Sequence, residues 1–257
     1  MYPVLLKIGR FPIYTYGSLI AIGFLVGLFI ARYEARRLGE DPDKIMDICF
    51  YGLIAAIVGS RLFYVAINPK IFLSDPVEIF KIWNGGLVFY GGFICALFVL
   101  VFYVKKQKMP LWLTADILAP SLAIAHSIGR IGCFFAGCCY GKVCDLPWAV
   151  TFSRPESLAP IGIPLHPTQL YSAANNLFIF CILWLFRHHK KFDGQLFWMY
   201  VLLYGIGRSI IEIFRGDFRE QSIFGFLSVS QAIGGAMSII AVVMLVRLSK
   251  SSIINRQ

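Results

Sequence analysis

Seven apolar stretches dominate this chain, roughly Tyr16–Ala31, Ile45–Ile67, Leu87–Val104, Leu111–Phe134, Thr168–Phe186, Leu196–Phe214 and Phe224–Val246. Most are long enough to cross about 30 Å of hydrocarbon at about 1.5 Å per residue, and the shortest can tilt or extend. A hydrophobic fraction of 58% in 257 residues exceeds what a soluble core of that length absorbs, and the mean hydropathy of +0.71 agrees. The expected fold class is all-α, a polytopic integral membrane protein with about seven transmembrane helices. The N-terminal stretch Tyr2–Tyr14 is broken by Lys7, Gly9, Arg10 and Pro12, unlike a secretory signal, so no segment is expected to be removed.

Basic residues orient the chain. Arg32, Arg36, Arg37, Lys44, Lys105, Lys106, Lys108, Arg187, Lys190, Lys191, Arg247, Lys250 and Arg256 follow the first, third, fifth and last helices. Only Lys7, Arg10, Lys70, Lys81, Lys142, Arg154, Arg215 and Arg219 fall on the other side. The excess marks the cytoplasmic face, which places the N-terminus outside and the C-terminus inside. The net charge of +10 then reflects topology and anionic lipid headgroups, and no basic stripe with stacking aromatics points to nucleic acid.

Three arginines remain inside apolar segments: Arg61, Arg130 and Arg208. A guanidinium in hydrocarbon costs several kcal/mol and cannot shed its proton, so it persists where it is paired or holds an anion. Arg61 and Arg130 lie about 16 and 19 residues past the cytoplasmic starts of their helices and Arg208 about 12–14, roughly 20–28 Å of rise, which puts all three in the outer half of the bilayer. Tyr16, Tyr90 and Gln169, near the outer starts of oppositely running helices, reach the same level. Together these residues describe a polar layer facing an outer-leaflet cavity.

The chain reads as one enzyme domain, residues 1–257, with two long outer loops. Asn68–Gly86 carries an amphipathic Val77–Trp83 piece suited to the interface. Gly137–Pro167 is rich in proline, contains an apolar Trp148–Phe152 run that suits a short strand, and has the length of a lid or acceptor-recognition surface.

The densest stretch is His126-Ser-Ile-Gly-Arg-Ile-Gly-Cys-Phe-Phe-Ala-Gly-Cys-Cys-Tyr-Gly141. Gly129, Gly132, Gly137 and Gly141 permit close helix approach and a turn whose N–H groups can bind an oxyanion. His126, Arg130 and Cys133 share one helix face, and the histidine is a candidate general base. A second glycine-rich segment, Trp83–Gly92, reads as a tight turn followed by helix packing. In Arg208-Ser-Ile-Ile-Glu-Ile-Phe-Arg215, Glu212 is spaced to hold both arginines. His166 and Gln169, in His166-Pro-Thr-Gln-Leu-Tyr171, open the fifth helix and can line the pocket mouth.

Of the seven cysteines, Cys49, Cys95 and Cys181 lie in apolar helices and read as core. Cys133, Cys138, Cys139 and Cys144 fall at or beyond the outer end of the fourth helix, where disulfide stapling is the first expectation and a thiol redox site, a metal site or free thiols are the alternatives. Their C-x4-C-C-x4-C spacing is not a standard zinc pattern.

In order and spacing, Ile13–Gly17, Gly59–Tyr64, Trp83–Gly92, Asp116–Pro120, Gly129–Gly141, His166–Tyr171 and Tyr204–Asp217 make the chain resemble the prolipoprotein diacylglyceryl transferase family over nearly its whole length. That family is a seven-helix inner-membrane enzyme with an external N-terminus. The resemblance implies transfer of diacylglyceryl from phosphatidylglycerol to the lipobox cysteine thiol in the signal-peptide region of a prolipoprotein, with release of glycerol phosphate. It implies no cofactor and no metal, a multi-pass location in the bacterial inner (cytoplasmic) membrane, catalytic or substrate-binding roles for Tyr16, Arg130, Gly141 and Arg208, and supporting charges at Arg61, Glu212 and Arg215. Where the family run ends Phe-His-Gly-Gly this chain has Tyr90, and in the Gly-Arg-x-Gly-Asn-Phe-x-Asn-Gly-Glu signature it has Cys133, Ala136 and Cys138. His126 or Tyr90 then remains to serve as base. Two alternatives accompany this reading: a paralogous transferase with another acceptor, and a membrane thiol oxidoreductase built on Cys133, Cys138, Cys139 and Cys144.

Overall fold

The computed structural model of the chain describes residues 2–9, 11–216, 222–223 and 227–254. Arg10, Asp217, Arg219, Phe224, Arg256 and Gln257, used in the reading above, lie outside the described residues. The protein is an all-α polytopic membrane protein: among the described residues, six helices are long and apolar enough to cross a membrane. They are α1 (Thr15–Leu38), α2 (Pro42–Ile67), α4 (Phe89–Lys106), α5 (Leu111–Ala136), α6 (Thr168–Phe186) and α8 (Val229–Ile254). A short α3 (Pro69–Ser74) follows α2. The sixth apolar stretch, Leu196–Phe214, forms α7 (Gln195–Glu212) but is not among the six spans, because Gln195, Arg208 and Glu212 dilute its hydropathy. At 18 residues it still rises about 27 Å. Large apolar side chains such as Phe29, Phe98, Leu185 and Ile239 are exposed on the helix surfaces, as lipid-facing positions require.

By contact the chain divides into two compact units, Ala31–Thr114 and Met1–Ile30 together with Ala115–Gln257. In the first of these, α2 starts at a capped turn: the Asp41 side chain accepts from the Asp43 amide, and Pro42 occupies the first helical position. The helices α2 and α4 pack through glycines. A Cβ on Gly59 would fall 2.5 Å from the Cys95 side chain, and one on Gly91 would fall 2.4 Å from Phe63, so neither position admits a side chain without moving a helix. The Trp83–Gly92 segment is therefore the turn and packing contact that its glycines suggest. Between the helices, the Val77–Trp83 piece folds into 3-10 turns, Pro76–Phe80 and Ile82–Asn84, that leave Phe80 and Trp83 exposed.

The larger unit begins with a β-hairpin, β1 (Val4–Ile8) with β2 (Phe11–Tyr14), tied to α1 by the Thr15 hydroxyl donating to the Tyr2 carbonyl at 2.6 Å. Its main core lies among α5, α6 and α7, where Ala119, Ala123, Ile179, Leu183 and Leu196 are buried. Asp116, in the second turn of α5, is buried and accepts from Lys190 Nζ at 3.1 Å and from the amides of Gly194 and Phe197 at 2.9 and 3.0 Å. One carboxylate thereby neutralises a lysine and occupies amide donors at the start of α7, which aligns α5 and α7 in parallel. Beyond α5 the loop forms β3 (Val150–Thr151) and β4 (Pro164–Leu165), paired antiparallel, and builds a small core of Phe152, Ala159 and Leu165 against Phe134. A last ladder, β5 (Ser222–Ile223) with β6 (Leu227–Ser228), precedes α8. There Ser228 and Gln231 exchange side chain–amide bonds of 3.0 and 3.2 Å, a capping box that starts the helix at Val229.

Candidate active site

Arg130 sits in the last third of α5, a turn beyond His126, and its Nε–H donates to His126 Nε2 at 3.2 Å. The His126 ring rests on Tyr204 of α7, with centroids 5.3 Å apart. Because α5 and α7 run parallel, Arg130 and Arg208, each four residues past one member of that ring pair, project one turn further along the same side of the unit. Among the described residues nothing accepts a hydrogen bond from Nη1 or Nη2 of Arg130. Its guanidinium keeps a planar face of donors free for a ligand anion.

Arg208 is held differently. Its Nη1 pairs with Glu212 Oε2 at 2.6 Å and its Nη2 donates to Ser230 Oγ on α8 at 3.1 Å. Arg215 approaches the same Glu212 oxygen at 3.6 Å. The ladder spaced along α7 is thus realised, with one carboxylate between two guanidiniums and all three side chains largely shielded. Among the described residues, two guanidiniums thus share one carboxylate at this end of α7.

Beyond α5 the backbone turns through Gly137, whose φ of +77° suits a residue without a Cβ. Three segments then meet at Gly141: its amide donates to the His166 carbonyl at 3.0 Å, and the next amide, of Lys142, donates to the Phe214 carbonyl at 2.8 Å. A Cβ on Gly141 would lie 2.4 Å from His166 Cβ and 2.8 Å from the Phe214 oxygen, so any side chain would pry these segments apart. The amide of Gly141 is spent on this contact. His166 is fixed by its ring Nδ1 lying 3.2 Å from the Tyr171 hydroxyl, which accepts from Trp148 Nε1 at 2.8 Å, and by Phe214 against its face. Gln169 is buried and donates through Nε2 to the Cys138 carbonyl at 2.8 Å, while the Thr168 hydroxyl donates to the Cys139 carbonyl at 2.8 Å. Both pin the turn that follows α5.

That turn carries the cysteines. All seven cysteines are free thiols. Cys133 in the last turn of α5 and Cys138 and Cys139 after it bring their Sγ atoms within 4.8 Å of one another, whereas Cys144 lies apart in the loop. Cys139 adopts φ +59°, the left-handed region unusual for a residue with a side chain. Its thiol is drawn well below the ordinary range by hydrogen bonds from the Cys133 and Cys138 thiols and, further, by the positive charge of Arg215 and Arg130. The Cys138 thiol is pushed up by its hydrogen bonds with Cys133 and Cys139. Tyr16, in the first turn of α1, packs against the same end of α5, since a Cβ on Gly132 would lie 3.3 Å from its ring.

Arg61 and Tyr90 belong to the Ala31–Thr114 unit. The sequence puts Arg61 in an anion layer, but its guanidinium is fully engaged by carbonyl oxygens of the loop. Nε donates to Ile79 at 3.0 Å, Nη1 to Gly85 and Gly86 at 2.7 and 3.1 Å, and Nη2 to Glu78 and, at 3.4 Å, to Lys81. Tyr64 and Phe72 cover the cation. Tyr90 is exposed in the first turn of α4 and lies edge-on to Phe89. Sequence reasoning missed Ser230, Tyr171 and Trp148. Ser230 sits in the first turn of an apolar helix with nothing in its spacing to relate it to Arg208, and the Trp148–Tyr171 contact joins positions 23 residues apart.

The prolipoprotein diacylglyceryl transferase family model matches residues 3–247. A phosphatidylglycerol–prolipoprotein diacylglyceryl transferase of Clostridium tetani is 39% identical over 234 residues, covering 91% of this chain and 92% of its own. Proteins of the same name from Geobacter sulfurreducens and Aeromonas hydrophila are 31% and 34% identical, covering 98% and 92% of this chain and 96% and 89% of theirs.

Proposed function

The chain belongs to the prolipoprotein diacylglyceryl transferase family and is an enzyme that moves diacylglyceryl from phosphatidylglycerol to a prolipoprotein, and we propose that Arg130 and Arg208 carry this transfer by holding the lipid phosphate as it becomes a leaving group. The acceptor is the lipobox cysteine in the signal-peptide region, whose sulfur displaces glycerol phosphate from the glyceryl carbon. Charge accumulates on the departing phosphate, so donors aimed at its oxygens act most strongly in the transition state. The observation that carries this reading is the unspent Nη1 and Nη2 face of Arg130 beside a carboxylate-braced Arg208.

The other site residues divide by what they touch. Glu212 sets the direction of Arg208 and Arg215, and Gly137, Gly141, His166 and Gln169 shape the turn and loop over the cation cluster. In a neutral imidazole one nitrogen donates and the other accepts, so a His126 Nε2 that accepts from Arg130 leaves the proton on Nδ1. That ring positions the guanidinium and holds no vacant basic nitrogen toward it. Arg61 holds the loop at residues 78–86, and Tyr90 has no partner among the described polar groups that would make it a base.

The enzyme spans the bacterial inner membrane with its N-terminus outside, and α7, packed between α6 and α8, makes a seventh crossing. Both compact units serve as one enzyme domain, with the loop of residues 137–167 as the acceptor-facing lid. The test is incubation of purified enzyme in phosphatidylglycerol nanodiscs with a lipobox-cysteine peptide, followed by mass spectrometry. A peptide gaining one diacylglyceryl mass on sulfur is the expected product. No gain, or modification of a peptide whose cysteine is replaced by serine, would sink the reading.

A further inference from the structure

Three thiols with no part in the phosphate site converge at the C-terminal end of α5. The Sγ atoms of Cys133, Cys138 and Cys139 lie within 4.8 Å of one another. Three thiolates around one zinc ion at about 2.3 Å stand about 3.8 Å apart, so the trio closes on a metal with shifts of about 1 Å at most. Its assembly depends on the turn: Gly137 reverses the chain, Cys139 takes a left-handed backbone angle, and Gln169 and Thr168 clamp the carbonyls of Cys138 and Cys139. The linear spacing gives no hint of this, because the three sulfurs meet only once the helix has ended and the chain has folded back.

We propose that Cys133, Cys138 and Cys139 bind a zinc ion with one coordination position open, and that the cysteine thiol of the acceptor occupies it. This rests on the transferase reading above for the identity of the acceptor. Soft thiolates select zinc over harder divalent ions, and three protein ligands with an open fourth position is the pattern of a zinc site that handles substrate. Among the described residues no fourth histidine, cysteine or carboxylate joins the group. Arg130, three residues before Cys133 on the same helix, and Arg215, whose backbone pairs with Gly141, supply positive charge to an ion that three thiolates render anionic.

The chemistry is complete without any oxidant. Coordination acidifies the acceptor thiol, and its proton passes to water. The zinc-bound sulfur then attacks the glyceryl carbon: an S–C bond forms, the C–O bond to phosphate breaks, and the electron pair leaves on the phosphate oxygen held by Arg130. Zinc keeps its charge throughout, and the thioether product is a weaker ligand that leaves the open position free. This supplies the activated nucleophile that His126, with Nε2 occupied, does not.

The test uses the whole reduced enzyme in nanodiscs. Expected results are one zinc per chain by elemental analysis, a cobalt-substituted form with thiolate-to-metal absorption and tetrahedral visible bands, and a shift of those bands when a lipobox-cysteine peptide, but not its serine analogue, is added. Cys138→Ser and Cys139→Ser should each weaken zinc binding by about 100-fold or more, while Cys144→Ser and Cys181→Ser keep one zinc. Because a ligand variant can fail to fold, the cobalt spectrum of the unaltered protein stands as an independent readout. Diacylglyceryl transfer by a metal-free enzyme at full rate, or a disulfide among the three cysteines in active protein, would overturn the proposal. Zinc bound by the trio with the peptide thiol entering its coordination sphere, but no diacylglyceryl transferred, would overturn the transferase reading and leave the metal site standing.

Discussion

The Nε–H of Arg130 points at Nε2 of His126 from one helical turn away, at 3.2 Å, and among the described residues both terminal nitrogens of the guanidinium are unclaimed. This division of labour separates two kinds of substitution. Arg130→Lys keeps the charge but loses the planar fork, and Arg208→Lys breaks the arrangement with Glu212 and Ser230. Each should lower kcat/KM by about 100-fold or more, the scale of removing a donor to a developing oxyanion, measured as diacylglyceryl transfer to a lipobox peptide. Arg154→Lys, on the outer loop, should change it less than about threefold.

If His126 positions Arg130, then Gln, which can also accept from the Nε–H, should substitute for it far better than Leu. His126→Gln is expected to retain turnover within about tenfold and to leave the shape of the pH–rate profile unchanged, whereas His126→Leu leaves Arg130 Nε unpaired and should cost about 100-fold. Loss of a limb of the pH profile in His126→Gln would make the imidazole a proton-transfer group instead.

Asp116 gives a stability prediction independent of the chemistry. Its carboxylate is buried and holds Lys190 together with the amides of Gly194 and Phe197, and Lys190 itself is well shielded. Asp116→Ala leaves the amides of Gly194 and Phe197 without their acceptor and Lys190 with only its partially exposed partner Asp193, at 3.0 Å, which should destabilise the fold by about 2–4 kcal/mol and lower the melting temperature in detergent. A shift under about 1 °C would mean that this cluster is hydrated and unimportant to folding.

The helices and their order are legible in the sequence because apolar length and basic flanks are local signals. Glu212 between Arg208 and Arg215 is legible for the same reason, since three- and four-residue spacings on a helix are contacts. Arg61 shows where local reading stops. An arginine in an apolar segment has the same sequence signature whether it holds an anion or, as here, carbonyl oxygens at residues 78–86, and only the fold of the loop decides. The cysteine trio was hidden for a related reason: its geometry is set by two positive backbone angles and two side chains of α6, none of which the C-x4-C-C spacing encodes. The start of α8 was misplaced because apolarity ran through Phe224 while the capping box of Ser228 and Gln231 fixed the helix later.

Arg61 therefore predicts a local effect. Arg61→Lys cannot span the carbonyls of Ile79, Gly85 and Gly86 at once, so amide exchange across residues 76–88 should accelerate by about tenfold or more while α5 and α7 remain as protected as before. Uniform protection would show that the loop is held by other contacts.

Orientation supplies the last test. Arg36, Arg37, Lys105, Lys106, Arg187, Lys190 and Lys191 flank the C-terminal ends of α1, α4 and α6, whereas few basic residues flank the opposite ends. We expect that bias to direct those ends to the cytoplasm. With α7 crossing, α8 runs back to the same side, so a reporter fused after Gln257 should be cytoplasmic, and a cysteine-reactive or epitope tag inserted beside Ser157 should be labelled from outside. If α7 does not cross, the two ends of α8 exchange sides: the Ser157 tag stays external and the reporter after Gln257 becomes external with it. Dual labelling of intact cells and of permeabilised ones distinguishes the two arrangements, and an external reporter after Gln257 would sink the seventh crossing.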